Sequence, residues 1–209
     1  MLEIIKNEDR IYKAYNLYDP DKDRLVLTQW ADSVSRITLG KAGYTYYLVT
    51  NFEDFSQRRS WLLDERGKEV FEGKYSSIST WCKGEYENQD TILAVTRVDD
   101  DLTYLVTLQE DILTEGYTGI GRYEEVNGHF LRVYKKENAK GAGPNKVSFV
   151  TYPGFKRITQ DWFDSVYYDD DRCAPFREEP DFVAVVKNRG RYKAVFADGS
   201  LQDAPLIKD

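Results

Sequence analysis

The sequence predicts an all-β chain built by tandem repetition, and three observations carry that prediction. First, four short segments share one pattern of aromatic, small polar, small and β-branched residues: Ala31-Asp32-Ser33-Val34, Tyr75-Ser76-Ser77-Ile78, Tyr117-Thr118-Gly119-Ile120 and Phe163-Asp164-Ser165-Val166, the first with Ala in the aromatic place. They begin at 31, 75, 117 and 163, so the steps are 44, 42 and 46 residues, the range left by repeat architectures. Second, alternating apolar segments recur with the motif. Third, 16 Tyr, 10 Phe and 4 Trp, with many Val, Thr and Ile, favour pleated, half-buried strands over helices.

Each copy opens on a strand in which apolar and other residues alternate: Leu2-Glu3-Ile4, Tyr47-Leu48-Val49, Leu93-Ala94-Val95, Leu131-Arg132-Val133 and Val183-Ala184-Val185. Alternation puts successive side chains on opposite faces and leaves one face to be buried. A second strand follows over Tyr12 to Tyr18, Ser60 to Leu63, Thr103 to Thr107, Val147 to Thr151 and Tyr192 to Phe196. In three copies it runs into Asp64-Glu65-Arg66-Gly67, Tyr152-Pro153-Gly154 or Ala197-Asp198-Gly199. These are hairpin turns, since Gly accepts positive φ and Asp or Pro shapes the reversal. A third strand then leads into the motif: Leu25 to Leu27, Glu69 to Phe71, Ile112-Leu113 and Arg157 to Thr159, with Leu201 opening the last.

These elements divide residues 1–209, read as a single repeat domain, into copies at about 2–43, 44–90, 91–128, 129–180 and 181–209. The last is expected to be truncated, without a recognisable motif. The polar or Gly/Pro-rich segments Gly84 to Asp90, Asn138 to Asn145 and Asp169 to Pro180 vary in length and are expected to be surface loops.

The stretch from Trp61 to Val70, with its Asp64-Glu65-Arg66-Gly67 turn, followed by Lys74-Tyr75-Ser76-Ser77-Ile78, resembles the unit of bacterial WG repeat proteins. Ser148 to Val166 and Lys193 to Leu206 resemble it more loosely, and the Trp-Gly pair itself is absent, Trp61 being followed by Leu62. The resemblance implies a β-rich repeat architecture and no shared catalytic residues. Three or four strands per ~42 residues suit a blade-like antiparallel sheet. Five such sheets predict a small five-bladed β-propeller, whose closure leaves only short strand edges. The alternative is an open β-rich array with capped ends.

Charge narrows the partner classes. A net charge of −7 with no dense Lys/Arg run argues against nucleic acid. No apolar stretch reaches the ~18–20 residues of a spanning helix, and Met1 to Asp9 lacks the apolar region of a secretion signal. No membrane partner and a cytoplasmic chain are therefore expected. Cys82 and Cys173 lack CxxC spacing, and His129 is the single histidine. No metal or cofactor is expected, and the cysteines read as reduced thiols, with a disulfide between them as the alternative.

The acidic run Asp19-Pro20-Asp21-Lys22-Asp23 alternates carboxylates as calcium loops do, but Arg24 stands in the glycine place and Trp30 in the final Glu place. A solvated hairpin is the competing reading. Asp99-Asp100-Asp101 and Asp169-Asp170-Asp171 read as solvated loop charge, the second run also as a contact for a basic partner. Trp30, Trp61 and Trp162 are expected in the core. Trp81, Tyr86, Tyr167 and Tyr168 follow the motifs, where they reach a rim and anchor a partner. The expected function is a non-enzymatic, protein-binding module of inhibitor, immunity or adaptor type, using Trp81, Tyr86, Tyr167, Tyr168, Asp169, Asp170 and Asp171. The alternatives are a lectin-like or small-ligand-binding propeller with one pocket per repeat, and a carboxylate-based hydrolase.

Overall fold

A computed structural model describes residues 1–9, 14–40, 43–54, 57–81, 92–121, 130–136, 144–152, 154–168 and 171–205. The chain is all-β, and among the described residues its strands pair into four antiparallel sheets. It divides into two compact units, Met1–Gly116 and Tyr117–Asp209.

In the first unit, β1 (Glu3–Lys6), β2 (Tyr15–Asp19) and β3 (Arg24–Leu25) form a three-stranded sheet. A six-stranded sheet follows in chain order: β4 (Ser33–Leu39), β5 (Tyr44–Asp54), β6 (Gln57–Asp64), β7 (Glu69–Thr80), β8 (Leu93–Arg97) and β9 (Thr103–Val106). In the second unit, β10 (Gly119–Ile120), β11 (Phe130–Lys136) and β12 (Asn145–Thr151) form one sheet. The other contains β13 (Ser165–Tyr167), β14 (Phe182–Asn188), β15 (Arg191–Phe196) and β16 (Leu201–Asp203). A 3-10 helix, Asp171–Phe176, lies between β13 and β14 in the chain.

The repeated motif is where the chain leaves one hairpin and joins the next. Ala31 and Tyr15 exchange both backbone hydrogen bonds, at 2.8 and 3.0 Å; two residues on, Ser33 already pairs with Thr50 of β5. Tyr75 faces Ser60 of β6, and beyond a bulge Ile78 faces Val95 of β8. Phe163 and Val147 likewise exchange bonds of 2.9 Å before Val166 pairs with Val186 of β14. Ala31, Val34, Tyr75, Ile78 and Phe163 are buried, each large apolar one contributing about 1.5–3 kcal/mol. Residues three apart face opposite ways in a regular strand, and the bulge between Tyr75 and Ser77 is what turns both ends of that motif inward.

The sheets therefore straddle the expected copy boundaries, because the motif strands β4, β10 and β13 belong to the sheets that follow them, while β7 pairs with β6 before it and β8 after it in one sheet. The last sheet, expected to be truncated, has four strands: β13 supplies its first and β16 its fourth. It also ends as the two three-stranded sheets do. The Ala204 N–H donates to the Tyr192 carbonyl at 3.0 Å, as Ala31 does to Tyr15. Ala204 thus occupies the first motif position 41 residues after Phe163, and Ala204-Pro205-Leu206-Ile207 repeats the pattern of Ala first and β-branched last. Residues 206–209 lie outside the described part, as do Cys82, Tyr86, His129, Asp169 and Asp170.

A second regularity is conformational. Asp23, Gly67, Glu110, Phe155 and Gly199 have φ of 47, 79, 64, 52 and 83°, steps of 44, 43, 45 and 44 residues. Each closes the turn between a second and a third strand. In the Gly67 turn the Gly67 N–H donates to Asp64 O at 3.0 Å, and the Asp64 carboxylate accepts from the Arg66 and Lys68 N–H groups at 2.9 and 2.8 Å. Thr107 does the same work with its hydroxyl for the Glu110 turn. The turn is pressed against the third-strand segment of the preceding hairpin: a Cβ on Gly67 would stand 2.5 Å from Val26 Cγ1, and one on Gly199 would stand 1.9 Å from the Ile158 carbonyl oxygen.

Gly199→Ala should therefore destabilise the second unit by about 3–5 kcal/mol through strain and collision together. Gly190→Ala has a similar φ of 80° but nothing within 4 Å, and should cost about 1 kcal/mol. Urea denaturation of both variants checks the difference.

Candidate functional site

Among the described residues expected to contact a partner, the aromatics Trp81, Tyr167 and Tyr168 are turned inward. Trp81 is 6% exposed, and its N–H donates to Ile92 O. Tyr167 is half-buried, edge-on to Tyr192 at 5.7 Å and beneath the Arg172 guanidinium at 5.2 Å. That arginine, itself buried, also lies 4.6 Å from the Tyr192 ring. Arg172 of the acidic loop thus finds its counterpart inside the protein. Tyr168 packs against the core around Phe163 with Arg132 at 5.2 Å over its ring. Burial raises its phenol well above the usual range, the neighbouring Arg132 charge pulling the other way, and its hydroxyl is buried without a hydrogen-bond partner. Of these candidates within the described residues, Asp171 alone is exposed, at the start of the 3-10 helix. Cys173 is a buried free thiol whose Sγ lies 3.4 Å from Tyr167 O.

The run from Asp19 to Asp23 is a hairpin turn, and among the described residues no three acids gather there as a cation site needs. Asp19 pairs with Lys22 at 3.0 Å and accepts from the Asp21 N–H, while Asp23 accepts from the Tyr18 hydroxyl at 2.5 Å. The Lys22 hydrogen bond holds the Asp19 carboxyl below its ordinary range. Asp100 is similarly occupied, accepting from the Leu102 N–H and the Tyr104 hydroxyl.

What the structure does assemble is a cleft of about 520 Å³ in the first unit. One wall is the segment after β3. Val26 N–H donates to Leu17 O, and the buried Asn16 side chain accepts from the Leu27 N–H while donating to Leu27 O, both at 3.1 Å. This clip fixes the segment and leaves Thr28 and Gln29 exposed on the rim. The other wall comes from β5, β6 and β7. Val49 and Trp61 face each other across β5 and β6, and Leu63, Asn51 and Glu69 complete it.

Trp61 is held at a set angle. A Cβ on Gly73 would stand 2.4 Å from its Nε1, so the glycine lets β7 pass against the indole edge, and Arg59 Nη1 donates to Gly73 O at 3.1 Å. Asn51 is oriented too: its Oδ1 accepts from the Asp32 N–H at 3.1 Å, which leaves the amide NH2 as the group to offer in the cleft. Trp30, Trp61 and Trp162, expected as core, are all half-buried. Trp61 lines the cleft, and Trp162 lies under Arg157 and Lys135 at 5.2 and 5.8 Å.

The cleft is not repeated chemically. In register terms the places equivalent to Trp61 hold Asn16, Tyr104, Ser148 and Lys193, each opposite Ile5, Val95, Val133 or Val186. Sequence reasoning missed Gln29, Asn51 and Glu69 because the polar residues of one cleft come from three segments more than 15 residues apart. The departure of Trp61 from its register equivalents was the available signal.

No family model matches the chain, and no curated protein matches it. Among solved structures it is similar to TolB from Acinetobacter baumannii, at 11% identity and a TM-score of 0.35, over 97% of this chain and 51% of that one. It is also similar to a structure described as the eukaryotic initiation factor, at 9% identity and a TM-score of 0.30, over 97% and 64%. The chain thus spans about half the length of TolB.

Tyr168→Phe removes a buried hydroxyl that makes no hydrogen bond, so it should leave stability unchanged or raise it by about 1 kcal/mol. Tyr47→Phe, which deletes the buried 2.8 Å bond to Leu2 O, should lower stability by about 1 kcal/mol. Chemical denaturation of the two variants reads the opposite signs.

Proposed function

We propose that this chain is a non-enzymatic binding module: a small five-bladed propeller of the WG repeat kind, whose contact surface is the Trp61 cleft. Five copies are supported by the left-handed turn residue that recurs at 23, 67, 110, 155 and 199. Binding rests on one observation above the others, a cleft of small-ligand size with an apolar wall and convergent polar groups. A non-catalytic role is supported by the lining, in which Glu69 is the single acid among the described residues. Hydrolysis by paired carboxylates needs a second acid about 5–9.5 Å away.

A small polar ligand comes ahead of a protein partner, since protein pairs bury about 800 Å² on each side and the described aromatic anchors for such a surface, Trp81, Tyr167 and Tyr168, are turned inward. A protein partner of inhibitor, immunity or adaptor type is the second reading. Its support is the net charge of −7 and the exposed Asp99, Asp100 and Asp101 turn, which would speed encounter with a basic surface.

Two measurements test the proposal. Small-angle scattering should give a radius of gyration of about 17 Å, that of a compact chain of this length; a clearly larger value means an open array. In a thermal-shift screen of small polar compounds, a ligand at a hundred times its Kd should raise the Tm by about 5–10 °C. That shift should vanish in Trp61→Ala and in the milder Asn51→Ala. Equal shifts in both variants and the natural chain would remove the cleft from consideration.

A further inference from the structure

We infer that the cleft takes a neutral carbohydrate, with one pyranose ring seated on Trp61 and its hydroxyls held by Asn51, Gln29 and Glu69. The inference rests on the cleft being the contact surface, and it follows from the chemistry of the two walls. The apolar wall is continuous: Val49 and Leu63 are 3% and 6% exposed, and the half-buried Trp61 lies between them with its indole angle fixed by Gly73. A flat apolar wall selects a ligand with one flat apolar face, because an aromatic ring contributes large contact area at little loss of side-chain freedom.

Asn51 and Glu69 flank Trp61 in that wall and Gln29 stands on the rim across from it, so the polar groups mix donors with acceptors. Asn51 offers an NH2, since its oxygen is taken by Asp32. Gln29 offers both halves of an amide, and Glu69 offers acceptor oxygens. A hydroxyl is donor and acceptor at once, so a ring of hydroxyls satisfies this set where a purely donating or purely accepting ligand does not.

Charge then separates the remaining classes. Among the described residues no Lys, Arg or His lines the cleft, and Glu69 contributes a negative charge. Phosphorylated and carboxylated ligands would meet repulsion with no compensating cation. The register equivalents of Trp61 are Asn16, Tyr104, Ser148 and Lys193, so the contact is made through one oriented indole.

The experiment is a glycan array followed by calorimetry on the full chain and on Trp61→Phe, Trp61→Ala and Asn51→Ala, with circular dichroism and Tm recorded for each. Neutral glycans are expected to bind. Trp61→Phe, which keeps an aromatic face, should weaken them a few-fold; Trp61→Ala and Asn51→Ala should weaken them at least tenfold. Folding failure of Trp61→Ala leaves the exposed Gln29→Ala as a further variant with the same expected direction. If neutral glycans do not bind but a charged compound does, and loses affinity in Trp61→Ala, the carbohydrate class is overturned and the cleft stands. If glycans bind equally well to all variants, or no compound of any class binds, the cleft falls with it.

Discussion

One segment of backbone serves two sheets, and much else in this protein follows from that. At Ala31 and Phe163 the first motif residue spends its N–H and C=O on the hairpin just completed. Two residues later the same strand is bonded to the hairpin about to begin. Buried backbone groups must be paired, so the segment cannot shift by one residue without orphaning bonds in both sheets. A one-residue slip would also turn its core side chains to solvent. Register at one motif therefore locks register in the sheets on either side of it.

That lock explains the chemistry of the turns. Because a following sheet starts from a strand already bonded to its predecessor, its second turn arrives close against the third-strand segment before it. Gly67 meets Val26 and Gly199 meets Ile158 at distances that leave no room for a side chain. At the other three turns the left-handed conformation is kept by Asp23, Glu110 or Phe155. Conformation is what the copies share, and residue identity varies beneath it. The same tolerance lets the place of Trp61 be filled elsewhere by Asn, Tyr, Ser or Lys.

Much of the fold was legible in the sequence because its signals are local. Alternation in Leu93-Ala94-Val95 or Val183-Ala184-Val185, and the Asp-led turn before Gly67, depend on residues a few positions apart. The ownership of the motif strand was not legible. Ser33 to Leu39 reads equally well as the end of one hairpin or the start of the next, and only hydrogen bonds to Thr50 and its neighbours decide it. The motif at Ala204 escaped notice for a related reason: its first place holds Ala and its second Pro, and backbone bonding to Tyr192 reveals the equivalence. The candidate site was the least legible part. Tyr167, Tyr168 and Trp81 sit where exposed aromatics are expected, yet Arg172, Arg132 and the core claim them. The groups that converge in the cleft are ordinary polar residues until the strands bring them together.

The offset between motif and sheet has a consequence for how such a chain can lengthen or shorten. A duplication or deletion that copies one whole sheet would cut through two shared strands and strand their partners. One that runs from a motif to the next, about 44 residues on, inserts or removes a hairpin while leaving every junction with the same donors and acceptors. The heritable module is thus out of phase with the visible one. Changes in copy number are filtered by backbone bonding before any question of side-chain fit or ligand arises.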